Sequence, residues 1–314
     1  MQAAAQHRKG GIEMAKRMTP AIEKFKKKNA GKAIKVSTPG KEAWGRLCRN
    51  RTALIGLGII GLLVLIAIFA NVIVPYGYQD QDFMAAYQTP SAAHWFGADN
   101  YGRDLLSRCL YGARYSLLLG LLCVCASFLT GGLLGVIAGY FGGKVDEIIM
   151  RIMDVFQAIP SILMAISITT VLGNGVPQMV VAIAISTLPT ISRNCRAAIL
   201  NVKSAEYVES SKAIGVGQWR MIFRHMIPNS VGVMVIFVVG LMGHSINMMA
   251  SLSYLGVGLN PPTPEWGLVL SEGKAFFTAY PHMVIFPAAM ILISILAFNM
   301  LGDGLRDAFD PRLK

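Results

Sequence analysis

Glu206-Tyr-Val-Glu209-Ser-Ser-Lys-Ala-Ile-Gly215-Val-Gly217-Gln-Trp219-Arg-Met-Ile-Phe-Arg-His225-Met-Ile-Pro228-Asn229 is a polar, amphipathic island between long apolar runs. A chain that merely crosses a bilayer has no need of one. Ser204 is a helix-capping residue type, and Glu206 and Glu209 complement the macrodipole of a helix starting there. Val208, Ser211 and Gly215 recur at helical spacing, as one side of that helix. Gly215 and Gly217 permit a sharp change of direction. Trp219, Ile222, Phe223 and Met226 then supply an apolar stripe for a second helix, and Pro228 opens the next span where its missing N–H does no harm. Two short helices broken at a glycine make a handle that a soluble partner can grip. The same residues also allow an amphipathic helix lying on lipid.

The flanks set the class. Of 314 residues, 54% are hydrophobic and 15% charged, too apolar for an ordinary soluble domain. Residues 53–70, 115–143 and 155–192 carry no charge. About 20 helical residues cross a ~30 Å hydrocarbon core, where every backbone amide must be bonded internally. The turn signal Gly173-Asn-Gly175-Val-Pro177 divides the third run into spans near 155–172 and 176–194. Two more fall near 229–250 and 283–302. The expectation is an all-α, polytopic membrane protein with six transmembrane helices. The first run is longer than a signal-peptide core and lacks a clear cleavage site, so it reads as an uncleaved anchor.

The expected organisation is a basic, poorly ordered tail at 1–44, a first helix at 45–75 and an extracytoplasmic segment at 76–114. A five-helix core at 115–303 follows, with an internal loop at 199–228 and an external loop at 251–282. A short tail covers 304–314. Residues 1–51 hold 14 basic and 3 acidic side chains. A nucleic-acid-binding arm is one use of such a charge. Positive-inside topology and attraction to anionic lipid explain it more simply, so no nucleic acid is expected as a partner. With the N-terminus inside, internal segments carry 25 Lys and Arg and external ones 4. That asymmetry places both termini in the cytoplasm.

Within the spans, Gly131, Gly135, Gly139 and Gly143 stand four apart, sharing one helix face for close packing. Pro160 should kink the third span. Cys123 and Cys125 point to different faces of a helix, and the five cysteines show neither disulfide nor zinc spacing. His244, Ser245, Asn247 and Asn299 are polar groups at membrane depth. They serve a translocation path or interhelical hydrogen bonds equally well. Gly56-Leu-Gly58-Ile-Ile-Gly61 spells the dinucleotide fingerprint, but no strand precedes it, and helix packing is the better account. No Walker A loop, metalloprotease helix or nucleophile elbow occurs. No metal site and no catalytic residues are expected, and the chain is not expected to be an enzyme.

The island resembles the signature loop of ATP-binding-cassette (ABC) importer permeases. That pattern is Glu-Ala-Ala, three residues, Gly, nine residues, Ile-x-Leu-Pro. Here it reads Glu209-Ser210-Ser211, Gly215 and His225-Met226-Ile227-Pro228, with every interval kept. Ser replaces both Ala, and His225 stands for the usual Ile. His94-Trp-Phe-Gly-Ala-Asp99 through Arg103-Asp104 to Arg108, Gly143-Lys-Val-Asp146-Glu147 through Pro160, and Ser251-Leu-Ser-Tyr-Leu-Gly256 through Pro261 to Gly267 are similar to the dipeptide/oligopeptide/nickel group. Within it, the chain resembles the second permease subunit over about residues 45–314.

The resemblance implies a type I ABC importer transmembrane fold in a bacterial or archaeal plasma membrane. It implies a homologous second permease, two cytoplasmic ATPases and an extracytoplasmic solute-binding protein as partners, beside the lipid bilayer. ATP and magnesium would belong to the ATPases, with no cofactor bound by this chain. Ser204, Tyr207, Glu209, Ser210, Ser211, Gly215, Gly217 and Pro228 would form the ATPase-coupling loop. Segments 75–114 and 251–282 would receive the binding protein. Peptides are the first expected cargo, with nickel, glutathione and other small solutes open. A stand-alone carrier or channel is the competing class, but it needs intramembrane carboxylates that the spans lack.

Overall fold

The computed structural model describes residues 39–309. The expected tail at 1–44 therefore lies mostly outside the described residues. The chain divides into two units, Met1–Glu42 and Ala43–Lys314. Of the first, only the opening turn of α1 (Pro39–Leu47) is described, and all later elements belong to the second.

Helix α2 (Arg51–Ile73) starts where Asn50 Oδ1 accepts the amides of Thr52 and Ala53 at 3.1 and 3.2 Å. An irregular segment leads to α3 (Leu105–Phe141), opened by Asp104 Oδ2 accepting Ser107 N–H at 2.7 Å. Its turns widen into π geometry at Phe128–Gly132. There follow α4 (Gly143–Gln157), α5 (Ser161–Leu172), α6 (Val176–Lys203), α7 (Glu206–Ala213), α8 (Gln218–Tyr254), α9 (Trp266–Gly273) and α10 (His282–Phe309). Among the described residues there is no β-strand, only an isolated bridge between Ala98 and Asp104.

Of the six expected spans, length and apolarity single out four among the described residues, or five with one bent pair. Helices α2, α3, α8 and α10 are long and apolar enough to cross a membrane. The α4–α5 pair makes a fifth only as a broken span, bent by 83°. Pro160 does more than kink the chain: it lacks an N–H and pushes Ile159 out of the helical region, so the helix ends and restarts. Helix α4 also carries Lys144, Asp146, Glu147, Arg151 and Asp154, a surface-helix composition. Helix α6 has 28 residues, enough length, but is less apolar than the others. Its Ser192 and Cys195 are buried against α3, so that side of it is built to face protein.

Close backbone contact sets α6 against α3. A Cβ on Gly131, Gly135 or Gly139 would stand 3.0, 2.3 or 3.0 Å from the carbonyl oxygens of Leu188, Ser192 and Arg196. Ser192 Oγ donates to Gly131 O at 2.9 Å across the same seam. Gly143 is not part of it. It follows the end of α3 at φ +52 with nothing within 4 Å. Gly135→Val is expected to cost about 3 kcal/mol by forcing these helices apart. Gly58→Val, whose added carbon meets nothing, should be neutral. Thermal unfolding of the two purified variants in detergent checks the contrast.

Elsewhere, Gly56 lies against Ala297 O on α10, where an added Cβ would stand at 2.7 Å, whereas Gly58 and Gly61 face open space. The main core gathers α3, α6, α8 and α9 around Trp266, whose Nε1 donates to Cys109 O at 2.8 Å. Gly112 leaves room for that ring. Cys123 is buried and Cys125 exposed, on different faces as expected.

Candidate functional site

The island lies at the end of α6. Lys203 Nζ donates to Tyr140 O at 2.6 Å and Gly139 O at 3.2 Å, tying this end of α6 to that of α3. Ser204 does not start the next helix. It terminates α6, its Oγ donating back to Asn201 O at 3.1 Å. In α7, Val208 is wholly buried in an apolar cluster with Ile199, Met221 and Met226. Tyr207, Glu209 and Ser210 point outward and Ser211 is half-buried. The serine hydroxyls are satisfied within the helix, donating to Glu206 O at 3.0 Å and Tyr207 O at 2.7 Å. The outer face of α7 therefore needs no partner to satisfy its hydroxyls. Partial desolvation pushes the Tyr207 phenol above its ordinary value.

Gly215 makes the turn. It sits at φ +79, the left-handed residue closing the helix, and Val216 N–H returns to Ser211 O at 3.2 Å. Gly217 does not share that role. Its φ of −62 suits most residues, and it serves as N-cap of the helix beginning at Gln218. That helix is not a short separate element but the start of α8, 37 residues long. The expected stripe splits. Ile222 and Met226 face inward with Met221, while Trp219 and Phe223 face outward, their rings stacked at 6.1 Å. Pro228 thus falls inside a continuous helix, directly after the π turn Met221–Met226. The widened turn accommodates its missing N–H.

The polar residues of the spans separate into three places. His244 and Asn299 line an open cavity of about 830 Å³ between α6, α8 and α10. Ser245 is buried on the other side of α8, and Asn247 lines a second hollow of about 520 Å³ with Ile162, Tyr254 and Leu270. The sequence reading missed the larger cavity's main polar wall, Ser186, Thr190 and Asn194 of α6. Their four-residue spacing within an apolar run was the available signal. Asp303 and Arg306 add charge at one end.

The opposite end of the bundle holds a buried ionic cluster. Asp99 Oδ2 accepts Arg103 Nε at 2.6 Å and Arg108 Nη1 at 2.7 Å. Glu272 Oε2 accepts Arg103 Nη2 at 3.1 Å and lies 2.6 Å from Arg108 Nη2, an ion pair not aligned as a hydrogen bond. Both arginines and Asp99 are almost wholly buried. The cluster welds segment 75–104 and the start of α3 to α9. Beside it, Asp104 Oδ1 meets His94 Nδ1 at 2.9 Å. Glu265 caps α9 through the amides of Gly267 and Leu268 at 2.8 and 2.9 Å, and burial pushes its carboxyl above the usual range against those bonds. Around this rigid base Phe83, Met84 and Trp95 stand exposed.

The chain is a helical bundle with an exposed polar loop at one end, a polar cavity within and a braced surface at the other, an architecture suited to passing a solute across a membrane. Residues 131–314 match the family described as binding-protein-dependent transport system inner membrane component. Residues 38–90 match the N-terminal transmembrane domain of oligopeptide transport permease C. The chain belongs to this family of ABC importer permeases. It is 43% identical over 280 residues to the glutathione transport system permease protein GsiD of Pectobacterium atrosepticum, covering 89% of this chain and 93% of that one. It is 41% identical over 277 residues to the dipeptide transport system permease protein DppC of Alkalihalophilus pseudofirmus, covering 88% and 91%. Among solved structures, a chain of the inward-facing MetNI methionine ABC transporter is similar, with a TM-score of 0.53 and 18% identity. That match covers 65% of this chain and 96% of that chain, and it speaks for the fold alone.

Proposed function

We propose that this chain is one of two homologous permeases of an importer for short peptides. The observation carrying the cargo class is the pair of relatives above 40% identity, one named for dipeptides and one for glutathione. Glutathione is itself a tripeptide, so both cargoes are short and carry charged termini. In this proposal the 830 Å³ cavity, with His244, Asn299 and the α6 hydroxyl face, is this chain's half of the path. Ser245 belongs to helix packing and Asn247 to the smaller hollow.

The charge asymmetry orients the chain with the α7 loop and both termini in the cytoplasm. There α7, with Tyr207, Glu209, Ser210 and Ser211, docks on one of two ATPases, which hold the ATP and magnesium. The solute-binding protein docks on the exposed Phe83, Met84 and Trp95 at the other end. ATPase closure then shifts the pair between two states, each favoured by a different ligand.

Co-purification from the native cells in mild detergent, with partners identified by mass spectrometry, tests the assembly. A second permease and one or two ABC ATPases are expected. Recovery of the chain alone, stable and monodisperse, overturns the proposal in favour of a stand-alone carrier. The co-purified transporter, reconstituted with its binding protein, should then take up labelled dipeptides or glutathione on ATP addition. Uptake of nickel with no peptide uptake overturns the cargo class.

A further inference from the structure

Helix α4 has two faces with different fates. On one, Asp146 holds Arg196 at 2.5 Å, Asp154 holds Arg193 at 2.5 Å, and Met153 is buried, so the helix is pinned to α6. On the other, Val145, Ile148, Ile152 and Val155 form an exposed stripe that continues into Ile159. The intervals of three and four residues are those of a helix-packing seam, and Glu147 and Arg151 border it with charges of both signs.

Lipid does not account for the stripe. Arg114 fixes the register of α3 on α2, donating to Ala67 O at 2.8 Å and Ile68 O at 3.0 Å. Measured from that contact, Gly131 on α3 and Arg51 on α2 both lie about 25 Å along their helices, at a similar depth. Helix α2 spans about 35 Å, close to the hydrocarbon thickness, so its Arg51 end marks the membrane edge. From Gly131, α3 runs on by roughly 15 Å to Phe141, and α4 returns beside that protruding end. The first part of the stripe, Val145, Ile148 and Ile152, lies within roughly 15 Å of the start of α4 and so beyond the hydrocarbon edge, where a contiguous apolar seam calls for a protein partner.

The seam leads to the cavity. Directly after Ile159 and Pro160, Ser161 lines the 830 Å³ cavity and Ile162 the smaller hollow. Both stand open on the chain as it is and need a second wall. We propose that the α4 seam packs against a helix of the second permease, closing the cytoplasmic end of the path. This inference rests on the permease-pair proposal above.

The test uses the whole transporter, with p-benzoylphenylalanine placed singly at Ile148, Ile152 or Val155. Photolysis should join this chain to the second permease from all three sites. The same probe at Leu129, exposed at membrane depth on α3, should yield no protein adduct. Adducts with the ATPase, or no protein adduct from the seam, overturn the inference when the second permease is present in the preparation. A preparation lacking that permease overturns the pair proposal itself. As a second measurement, Ile152→Asp should lower the recovered second permease by roughly tenfold or more, since a charge would be buried unpaired in the contact. Because Ile152 is exposed in the single chain, its own fold should survive, and undiminished recovery of the pair speaks against the seam.

Discussion

Arg108→Met should be the most destabilising single substitution at the end of the bundle that holds the Asp99 ionic cluster. It leaves Asp99 and Glu272 sharing only Arg103 in a site that excludes water. Breaking a buried pair from one side typically costs about 3–5 kcal/mol, because the remaining charge is neither solvated nor neutralised. The midpoint of thermal unfolding in detergent should fall by roughly 5 °C or more. Arg108→Lys keeps the charge but loses the planar fork that reaches Asp99 and Glu272 together, and should fall between. An unchanged midpoint for Arg108→Met would show that segment 75–104 is held by its apolar contacts instead.

Gly215→Asp should act on transport and leave the bundle intact. No atom lies within 4 Å of the position an added Cβ would take, so no clash arises within the chain. The cost is conformational, about 1–2 kcal/mol for a non-glycine residue in the left-handed region. In the proposed coupling role, that strain alone would depopulate the docked loop by roughly fivefold to thirtyfold, and the new charge would add to it at the proposed ATPase surface. ATP-driven uptake should fall by at least about tenfold at unchanged expression and unfolding midpoint. Gly215→Asn isolates the charge, since Asn matches Asp in shape and in tolerance of this backbone but is neutral. It should retain more uptake than Asp. Normal uptake by Gly215→Asp would remove the loop from the coupling role.

Local signals carried much of this in the sequence. Spacing alone marked the Glu209–Gly215–Pro228 island, and the glycine that turns the chain is the one at the motif position. Gly131, Gly135 and Gly139 read correctly as one face because helical periodicity is a local property. What escaped was set by tertiary contact. Trp219 and Ile222 look equivalent as apolar residues three apart, yet only Ile222 is buried. The ionic cluster joins Asp99 to Glu272 across 173 positions, which no window reveals. The cavity wall on α6 was hidden because which face of a helix meets a polar space is decided by its neighbours and not by its own spacing.

The length of α8 has a mechanical consequence. Its 37 residues extend about 55 Å, nearly twice the hydrocarbon thickness. It is a stiff rod with one end in the proposed ATPase-facing loop and the other near the proposed receptor surface. Tilting such a rod by roughly 10° about its middle displaces each tip by about 5 Å in opposite directions. The displacement is largest at the tips and smallest near the pivot. The two ends can therefore exchange large movements while the walls at His244 shift by less than a side-chain width. The compliant point of the rod is the π turn with Pro228, close to the driven end, so slack there would shorten the stroke delivered to the far tip.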